Sequence, residues 1–453
     1  METSTARPLG TVILESGRSI EALIAKLDLA LIGRNAGRHR VVIACPRGEQ
    51  AALAGSLPDR FRPLPMTAPE AWPEALPVDT ERVAFLPDES AFSPPLWDSV
   101  PADGVLLRPW PVPIYFEIDR PATNKIPANG WVAPTALLRL LLQKPPERLD
   151  LFAVAASLTE RGTAVGFLSA PAFAKGIGRA SPAPGPPPLR RDASVLAIVP
   201  HYRCEAWLEQ CLRSLVRQSR PLQAIVVVDD ASPSPPREIV AGFPAVTLLA
   251  ARENVGPYRL VQTIIERTRF DAYLFQDADD WSSDDRLALL LDGAERMGAA
   301  LIGSQEICFD ETGRRVLSSL YPPDGTRLLG DRLMAPILHP STLVSRSLVM
   351  RLGGYASGMK FGGDYEFQLR AHHVARLVNL DRYCYFRRRR PGSLWTSPET
   401  GNGSPARQQQ TDQIEARALV NAHRAESGRE LDLAPFSRAG PIALDHICGP
   451  ALG

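Results

Sequence analysis

The chain has 453 residues, of which 22% are charged and 45% hydrophobic, and its formal net charge is +1. This length favours two domains, and the balanced charge gives no overall field that would attract nucleic acid. The six cysteines form no C-x-x-C pair, which argues against a zinc site or a disulfide framework and fits a reducing cytoplasm. No apolar run approaches the roughly 20 residues that a membrane span needs, and the N-terminus lacks the pattern of a signal peptide.

Short apolar runs in the first third of the chain predict strands separated by helical and proline-rich segments. The predicted strands are 11–14, 41–45 and 83–86. Helices are expected at 20–31, 136–142 and 149–159, where apolar residues recur at helical spacing. Loops are expected at 55–80 and 94–130, where prolines are frequent and no period is visible. We assign residues 1–176 to a first domain.

A segment rich in proline separates this domain from the second half of the chain. Residues 177–193 include the run Pro-Ala-Pro-Gly-Pro-Pro-Pro. Such a composition favours extended, polyproline-like geometry and cannot bury a core. We therefore assign 177–193 to a linker.

Four apolar runs in the second half are predicted strands, and helical patterns alternate with them. The strands are Val195–Val199, Ala224–Val228, Val246–Leu249 and Tyr273–Phe275. The first helix carries its apolar face on Leu208, Cys211, Leu212, Leu215 and Val216. This alternation predicts an α/β fold with a mostly parallel sheet and helices on both faces. We assign 194–398 to this domain and 399–453 to a C-terminal helix, at 408–426, and a tail.

Polar residues follow three of these strands directly. They are Pro200-His201-Tyr202, Asp229-Asp230 and Asp277–Asp280. In open α/β sheets, ligands bind at the carboxyl ends of the strands. Three such clusters at three strand ends therefore predict a binding site.

Asp277 and Asp279 are the strongest candidates for metal ligands. They stand two residues apart after a buried strand, so a continued strand geometry would point both carboxylates to one side. A hard cation such as Mg²⁺ or Mn²⁺ neutralises such a pair and shares substrate phosphate oxygens. The alternative is a solvated acidic turn before the next helix.

The two halves of the chain align loosely with each other. Strand, helix and strand at 11–45 correspond to those at 195–228. Residues 85–90 lie where 275–279 lie, and Asp150 falls where Asp364 falls. We interpret this as a tandem duplication in which the first copy lacks the paired aspartates and holds no metal-bound nucleotide. The alternative is the general similarity of any two α/β domains.

Residues 194–395 resemble the inverting glycosyltransferases of family 2. The residues that carry the resemblance are Pro200-His201-Tyr202, Val226–Ser232, Glu253–Gly256, Gln276–Asp280, and Gly353-Gly354-Tyr355 with the run to Asp364. Each motif alone is weak, whereas the ordered set over about 200 residues is specific. The resemblance implies the GT-A fold, a Rossmann-like fold of nucleotide-diphospho-sugar transferases. Together with the internal repeat, this predicts two tandem copies of the fold.

The resemblance also implies roles for individual residues. Asp229 or Asp230 would contact the nucleobase, Asp277 and Asp279 would bind Mn²⁺ or Mg²⁺, and Asp364 would be the catalytic base. The residues expected at the nucleotide sugar are Pro200, Tyr202, Asp229, Asp230, Asn254, Arg259, Asp277 and Arg390.

Three departures from the family pattern concern the same region. Arg203 stands where Asn is usual, and Gly363 replaces a Glu beside the base. The run Gly256–Arg259 replaces smaller residues and is expected to reshape the nucleotide pocket. None of these changes removes the predicted metal ligands or the base.

Asp364 also has a physical argument in its favour. It begins a predicted helix and shares a face with Phe367, Ala371 and Val374, by spacings of three and four. A carboxylate on an inward face is costly unless it has a partner or a task. The alternative is a helix N-cap at the favourable end of the helix dipole.

The run Arg387–Arg390 is the strongest local charge, and arginine suits bidentate contacts with a diphosphate. In an extended run at most two of the four side chains face the same site. A solvated strand edge is the alternative. His339 is expected either near the acceptor or packed in a loop, and Trp281 and Trp395 either as binding walls or in the core.

The sequence thus predicts a metal-dependent inverting transferase of hexosyltransferase type, with a nucleotide sugar as donor and a glycan, peptide or small metabolite as acceptor. The first rival is an inactive sugar- or nucleotide-binding module with the same fold. The second is a sugar-1-phosphate nucleotidyltransferase, whose glycine-rich first loop is absent after Val199. A dimer and peripheral membrane contact stay open, and no nucleic-acid partner is expected because no basic face with interleaved aromatic residues is present.

Overall fold

The computed structural model describes residues 185–319, 321–331, 333–401 and 403–452, together with strands, a helix and turn residues of the N-terminal third. The chain divides into two compact units. The first comprises 1–120, 124–172 and 313–318, and the second comprises 121–123, 173–312 and 319–453. Neither unit contains a described helix that is long and apolar enough to cross a membrane.

The first unit contains a seven-stranded sheet in its described residues. Its elements are β1 (Gly10–Glu15), β2 (His39–Cys45), β3 (Phe61–Pro65), β4 (Arg82–Leu86), β5 (Gly104–Pro109), β6 (Lys125–Pro134), α1 (Leu151–Glu160) and β7 (Ala164–Phe167). Strands β1–β2, β1–β4, β2–β3 and β5–β7 pair in parallel. Strand β6 runs antiparallel to β4 and β5. The strand order is therefore β3-β2-β1-β4-β6-β5-β7.

The predicted loops at 55–80 and 94–130 were wrong in part, because β3, β5 and half of β6 lie within them. Strand β3 has the sequence Phe-Arg-Pro-Leu-Pro and lies at the edge of the described sheet. An edge strand tolerates proline because one side of its backbone needs no ladder partner. The strands predicted at 11–14, 41–45 and 83–86 and the helix predicted at 149–159 are confirmed. The helices predicted at 20–31 and 136–142 lie outside the described residues.

The second unit alternates strands and helices from residue 195 onwards. Its first elements are β8 (Val195–His201), α2 (Glu205–Val216), β9 (Ala224–Asp229), α3 (Arg237–Ala241), β10 (Val246–Ala251), α4 (Pro257–Arg267), β11 (Ala272–Phe275), β12 (Trp281–Ser282) and α5 (Arg286–Met297). The chain continues with β13 (Leu301–Asp310), β14 (Arg315–Ser319, of which 315–318 belong to the first unit), α6 (Gly325–Asp331), a 3-10 turn (His339–Ser341), β15 (Leu343–Ser345), α7 (Arg346–Arg351), α8 (Gly363–Ala371), β16 (Leu377–Arg389), α9 (Pro405–Glu426) and β17 (Leu444–Cys448).

The sheet of this unit is mixed and mostly parallel, as predicted. Strand β8 pairs in parallel with β9 and β11, and β9 with β10. Strand β15 runs antiparallel to β11 and β13, and β13 is parallel to β16. From β10 to β16 the order is β10-β9-β8-β11-β15-β13-β16. The carboxyl ends of β8, β9 and β11 therefore lie side by side.

Helices cover both faces of this sheet. Successive residues of a strand therefore belong alternately to two buried clusters, one on each face. Leu196, Ile198 and Val226 belong to one buried cluster together with residues of α4, α7 and α8. Val195, Ala197 and the other alternate positions belong to a second cluster with α2 and α5. Each buried aliphatic side chain contributes about 1.5–3 kcal/mol to folding. The face predicted for α2 is confirmed except at Val216, which is 43% exposed.

The C-terminal segment is part of the second unit. The helix predicted at 408–426 begins three residues earlier, at Pro405, where Ser404 caps it by accepting a hydrogen bond from Arg407 N. The tail adds β17, antiparallel to β10, a strand that the sequence pattern did not reveal.

Candidate active site

The carboxyl ends of β8, β9 and β11 carry the three polar clusters of the sequence. His201 and Asp229 end β8 and β9, and these two residues are opposite each other in the strand register. Asp277 follows β11 by two residues. The sheet order thus brings together three segments that are up to 76 residues apart in the chain.

Asp229 forms a buried pair with His201. The Nδ1–H of His201 donates to Asp229 Oδ1 at 2.7 Å, and the N–H of Ser232 donates to Oδ2 at 2.9 Å. His201 Nε2 accepts the N–H of Cys204 at 3.3 Å, which requires a neutral imidazole. Burial alone would raise the pKa of Asp229, but the hydrogen bonds from His201 and Ser232 lower it. Asp229 thus fixes the turns after β8 and β9, a role that the sequence analysis did not foresee.

Asp230 holds the loop in front of α4. Its two carboxylate oxygens accept the N–H groups of Val255 and Gly256 at 2.8 and 2.9 Å. Its backbone carbonyl accepts the side-chain amide of Asn254 at 3.2 Å. Burial raises the pKa of Asp230, although these hydrogen bonds oppose the increase. Both aspartates expected at the nucleobase therefore already have internal hydrogen-bond partners.

The turn after β8 presents an aromatic side chain to solvent. Tyr202 is 42% exposed, and the guanidinium of Arg203 lies 5.1 Å from the centre of its ring. Arg203 has a φ of 52°, in the left-handed region where Asn is better tolerated than most residues. The left-handed backbone explains why Asn suits position 203 and why Arg203 adopts this conformation at a cost in free energy. Pro200, one of the predicted residues, is half-buried at the end of β8.

Asp277 is a carboxylate without a hydrogen-bond partner in the described part of the chain. Its side chain is exposed, yet protein atoms pack closely around the carboxyl group. This crowding, followed by repulsion from Asp279, raises the pKa of Asp277 to about 7. The charge of Asp364 also contributes to the increase.

Asp279 is paired with an arginine. The Nε of Arg390 donates to Asp279 Oδ2 at 2.8 Å, and both side chains are more than 80% buried. The guanidinium of Arg390 also donates to Cys204 Sγ at 3.2 Å and lies 4.1 Å from the centre of the Trp207 ring. Arg390 thus stands beside the predicted metal ligand, where a diphosphate would have to bind.

The four consecutive arginines alternate in direction, as predicted. Arg388 and Arg390 both contact the loop 277–280, since Arg388 donates to the backbone carbonyl of Asp279 at 3.1 Å. Arg387 instead pairs with the buried Glu306 at 3.2 Å, and Arg389 lies 4.0 Å from Asp310.

Two further residues secure the acidic loop and were missed by the sequence analysis. Asp280 accepts the Tyr385 hydroxyl at 2.6 Å and the N–H of Arg388 at 2.7 Å. Burial and the neighbouring aspartates raise its pKa. Arg286 is fully buried and donates to the backbone carbonyls of Phe275 and Pro340 at 2.9 and 2.8 Å, and burial lowers its pKa to about 10. Both contacts join segments that are distant in sequence, so no local pattern could reveal them.

Asp364 lies in the first turn of α8 and accepts a hydrogen bond from Tyr258. The Tyr258 hydroxyl donates to Asp364 Oδ1 at 2.6 Å. Asp364 Oδ2 has no hydrogen-bond partner in the described residues. His339 stands nearby, with its ring stacked on Phe275, and the charge of Asp364 opposes the effect of burial that lowers its pKa.

Two predicted site residues have other surroundings. Arg259 donates to the backbone carbonyl of Gly440 at 3.0 Å and so contacts the C-terminal segment. Trp281 is buried among Phe309 and Phe386 and belongs to the core, whereas Trp395 is 46% exposed.

The residues present can hold a divalent cation only in the company of a phosphate ligand. Among the described residues, no group of three or more His, Cys, Asp and Glu side chains could hold a metal ion. Magnesium commonly uses one or two carboxylates and completes its shell with phosphate oxygens and water. Asp277 fits this requirement as it stands, whereas Asp279 Oδ2 is held by Arg390.

Residues 196–353 match the family model described as glycosyl transferase family 2. This stretch is about a third of the chain and ends before Asp364. The glycosyltransferase GlyA of Streptococcus pneumoniae serotype 4 is 31% identical over 102 residues. These residues are 22% of this chain and 15% of GlyA, so the chain spans a small part of that relative. The two matches support a glycosyltransferase.

Solved structures with a similar chain path include TarS of S. aureus. TarS 1–349 in complex with UDP-GlcNAc is 22% identical to this chain, with a TM-score of 0.39. The match covers 51% of this chain and 73% of the TarS chain. A second TarS structure, which is not restricted to residues 1–349, is 20% identical to this chain, with a TM-score of 0.38. The match covers 54% of this chain and 44% of the TarS chain.

Proposed function

We propose that the second unit transfers a sugar from a nucleotide-diphosphate sugar to a nucleophile of an acceptor, with inversion at the anomeric carbon. The observation that carries the proposal is the acidic loop 277–280 beside Arg390, at the carboxyl edge of parallel strands that lie within the family 2 match. The acidic loop would bind the diphosphate, and Asp364, whose charge contributes to the raised pKa of Asp277, would serve the acceptor.

Arg390 would contact the diphosphate. The leaving diphosphate gains negative charge in the transition state, and arginine stabilises such charge through bidentate hydrogen bonds. Arg390 is positioned for this by stacking on Trp207. A Mg²⁺ or Mn²⁺ ion held by Asp277 and Asp279 would supply further charge neutralisation.

Asp364 would remove the proton of the acceptor. Its Oδ1 accepts the Tyr258 hydroxyl, which leaves Oδ2 for the acceptor's hydroxyl or other nucleophile. General base catalysis by a carboxylate increases the nucleophilicity of the acceptor as the bond forms. A direct attack opposite the leaving diphosphate inverts the anomeric carbon.

We also propose that the first unit is a degenerate copy of the second. Its strand order and pairing directions repeat those of β8 to β16 element by element, with α1 in the place of α8. Its sequence has Pro46-Arg47-Gly48 where the second unit has Asp229-Asp230, and no Asp-x-Asp after β4.

An inactive binding module is the second candidate. The ion pair between Asp279 and Arg390 favours it, because this pair neutralises a predicted metal ligand without any ligand bound. Tight nucleotide binding without turnover would support this candidate.

The test is isothermal titration of the full chain with a panel of nucleoside diphosphates and their sugars, with and without Mn²⁺. UDP and UDP-GlcNAc are included because TarS has been solved with UDP-GlcNAc. We expect metal-dependent binding of about one nucleotide per chain, which Asp279→Ala weakens and Asp88→Ala leaves unchanged. If no nucleotide binds under any metal condition, the proposed function is wrong.

A further inference from the structure

We propose that Tyr258 is a positioning residue for Asp364, and that Gly363 is required to make room for it. The inference rests on the proposed function, because it assigns the catalytic base its orientation. It joins two departures from the family pattern, at 256–259 and at 363, into one structural feature.

Tyr258 and Asp364 form a short hydrogen bond, and neighbouring residues hold the Tyr258 side chain in place. Tyr258 is the second residue of α4, and its hydroxyl donates to Asp364 Oδ1 at 2.6 Å. Its ring stacks on Tyr355 with the centroids 6.5 Å apart and meets His339 edge-on at 6.1 Å. The start of α4 is itself fixed by Asp230, which accepts the N–H groups of Val255 and Gly256. The tyrosine is therefore held on several sides.

Gly363 lies directly against the Tyr258 ring. A Cβ atom added at Gly363 would stand 2.9 Å from Cδ2, 3.0 Å from Cγ and 3.2 Å from Cε2 of Tyr258. These distances are shorter than ordinary carbon contacts of 3.5–4.0 Å. Any side chain at 363, including the Glu usual in the family, would displace the ring from this position. A residue larger than glycine at 363 would therefore push the Tyr258 ring away from its present position.

The hydrogen bond has consequences for the base. A carboxylate that accepts a hydroxyl at one oxygen is fixed in rotation, and its second oxygen points in one direction. The titratable and charged groups near this pair are Asp277 after β11, His339 in the 3-10 turn, Tyr355 after α7 and Arg407 in α9.

The chain supplies a matched control in Tyr355. It belongs to the same aromatic cluster, but its buried hydroxyl has no hydrogen-bond partner among the described residues. Tyr258→Phe and Tyr355→Phe each remove one hydroxyl from this cluster. Only the first removes a hydrogen bond to the base.

The kinetic experiment follows release of nucleoside diphosphate from the nucleotide sugar that binds in the titration, with water as the acceptor. We expect Tyr258→Phe to lower kcat about tenfold with little change in KM for the donor, because a hydrogen bond to a charged group is lost. Tyr355→Phe should match the wild type. Equal kinetics for Tyr258→Phe and Tyr355→Phe would overturn the positioning role.

A second measurement needs no activity and separates this inference from the proposed function. In a double-mutant cycle of urea unfolding, Tyr258→Phe and Asp364→Ala should be coupled by roughly tenfold in the unfolding equilibrium constant. Gly363→Ala should lower the urea midpoint in the wild type but not in Tyr258→Ala. Gly330→Ala, a helical glycine with open space around it, serves as control. If the effects of the changes are additive both for Tyr258 with Asp364 and for Tyr258 with Gly363, the contact does not exist in solution. If coupling is present and the wild type never releases a nucleoside diphosphate, the proposed function fails while the structural link stands.

Discussion

The two units of the chain have the same strand order but differ in the residues at the strand ends. In both sheets the first strand lies between the second and fourth, and an antiparallel strand separates the parallel part from the last pair. The second unit carries His201, Asp229, Asp230 and the 277–280 aspartates at the ends of its strands. The first unit has Pro46-Arg47-Gly48 and Pro87-Asp88-Glu89 at the corresponding places in its sequence. The strand order of a unit and the residues at its strand ends can therefore differ independently.

The proposed base, Asp364, provides the largest expected difference between the units. Asp364→Asn keeps the size of the side chain but removes the proton acceptor, so transfer should fall about 10³-fold. Asp150→Asn, at the corresponding place in the first unit's sequence, should leave the rate unchanged. Rates are measured by release of nucleoside diphosphate, and titration should show that both variants still bind the nucleotide. Full activity in Asp364→Asn would place the base elsewhere.

The acidic strand end of the second unit should have a measurable cost in stability. The pKa of Asp277 rises from 3.8 to about 7 on folding, so the folded chain binds a proton more tightly than the unfolded chain. The resulting stabilisation is present below about pH 4 and is lost as the pH rises through about 7. Asp277→Asn should therefore stabilise the ligand-free chain at pH 8 by about 1 kcal/mol, a value reduced by the exposure of this side chain.

Urea unfolding between pH 4 and pH 8 measures this effect. The difference between Asp277→Asn and the wild type should grow with pH across this range. Asp192→Asn, a change at an exposed aspartate paired with Arg190, should give a constant difference. A constant difference for Asp277→Asn as well would show that its pKa is not raised.

Local patterns predicted the parts of this molecule that depend on neighbouring residues in the chain. Strands β8 to β11 and helices α2 and α4 follow from apolar periodicity, since Leu260, Val261, Ile264 and Ile265 are all buried on α4. Strand β3 escaped prediction because its prolines are tolerated only at a sheet edge, and edge position is a property of the whole sheet. Strand β17 escaped prediction because its order depends on pairing with β10.

The site shows the same limit at the level of side chains. The acidic residues at the strand ends are visible in the sequence, but their partners are not. Asp279 meets Arg390 across 111 residues, and Asp364 meets Tyr258 across 106. The sequence therefore predicted which carboxylates are present, whereas only the fold shows which of them are paired and which is without a partner.

The turn after β9 gives the smallest expected effect. Ala231 has a φ of 59°, a left-handed conformation that costs a residue with a Cβ roughly 1–2 kcal/mol. The corresponding segment of the first unit's sequence includes Gly48. Ala231→Gly relieves the strain but increases the freedom of the unfolded chain, so we expect a net gain of about 0.5 kcal/mol in the free energy of unfolding. Thermal unfolding checks this, with Ala231→Val as the opposing variant that should lose stability. Because Ser232 N and Asp229 are hydrogen-bonded around this residue, a loss of stability in Ala231→Gly would mean that the turn depends on the methyl group and not on its backbone angle.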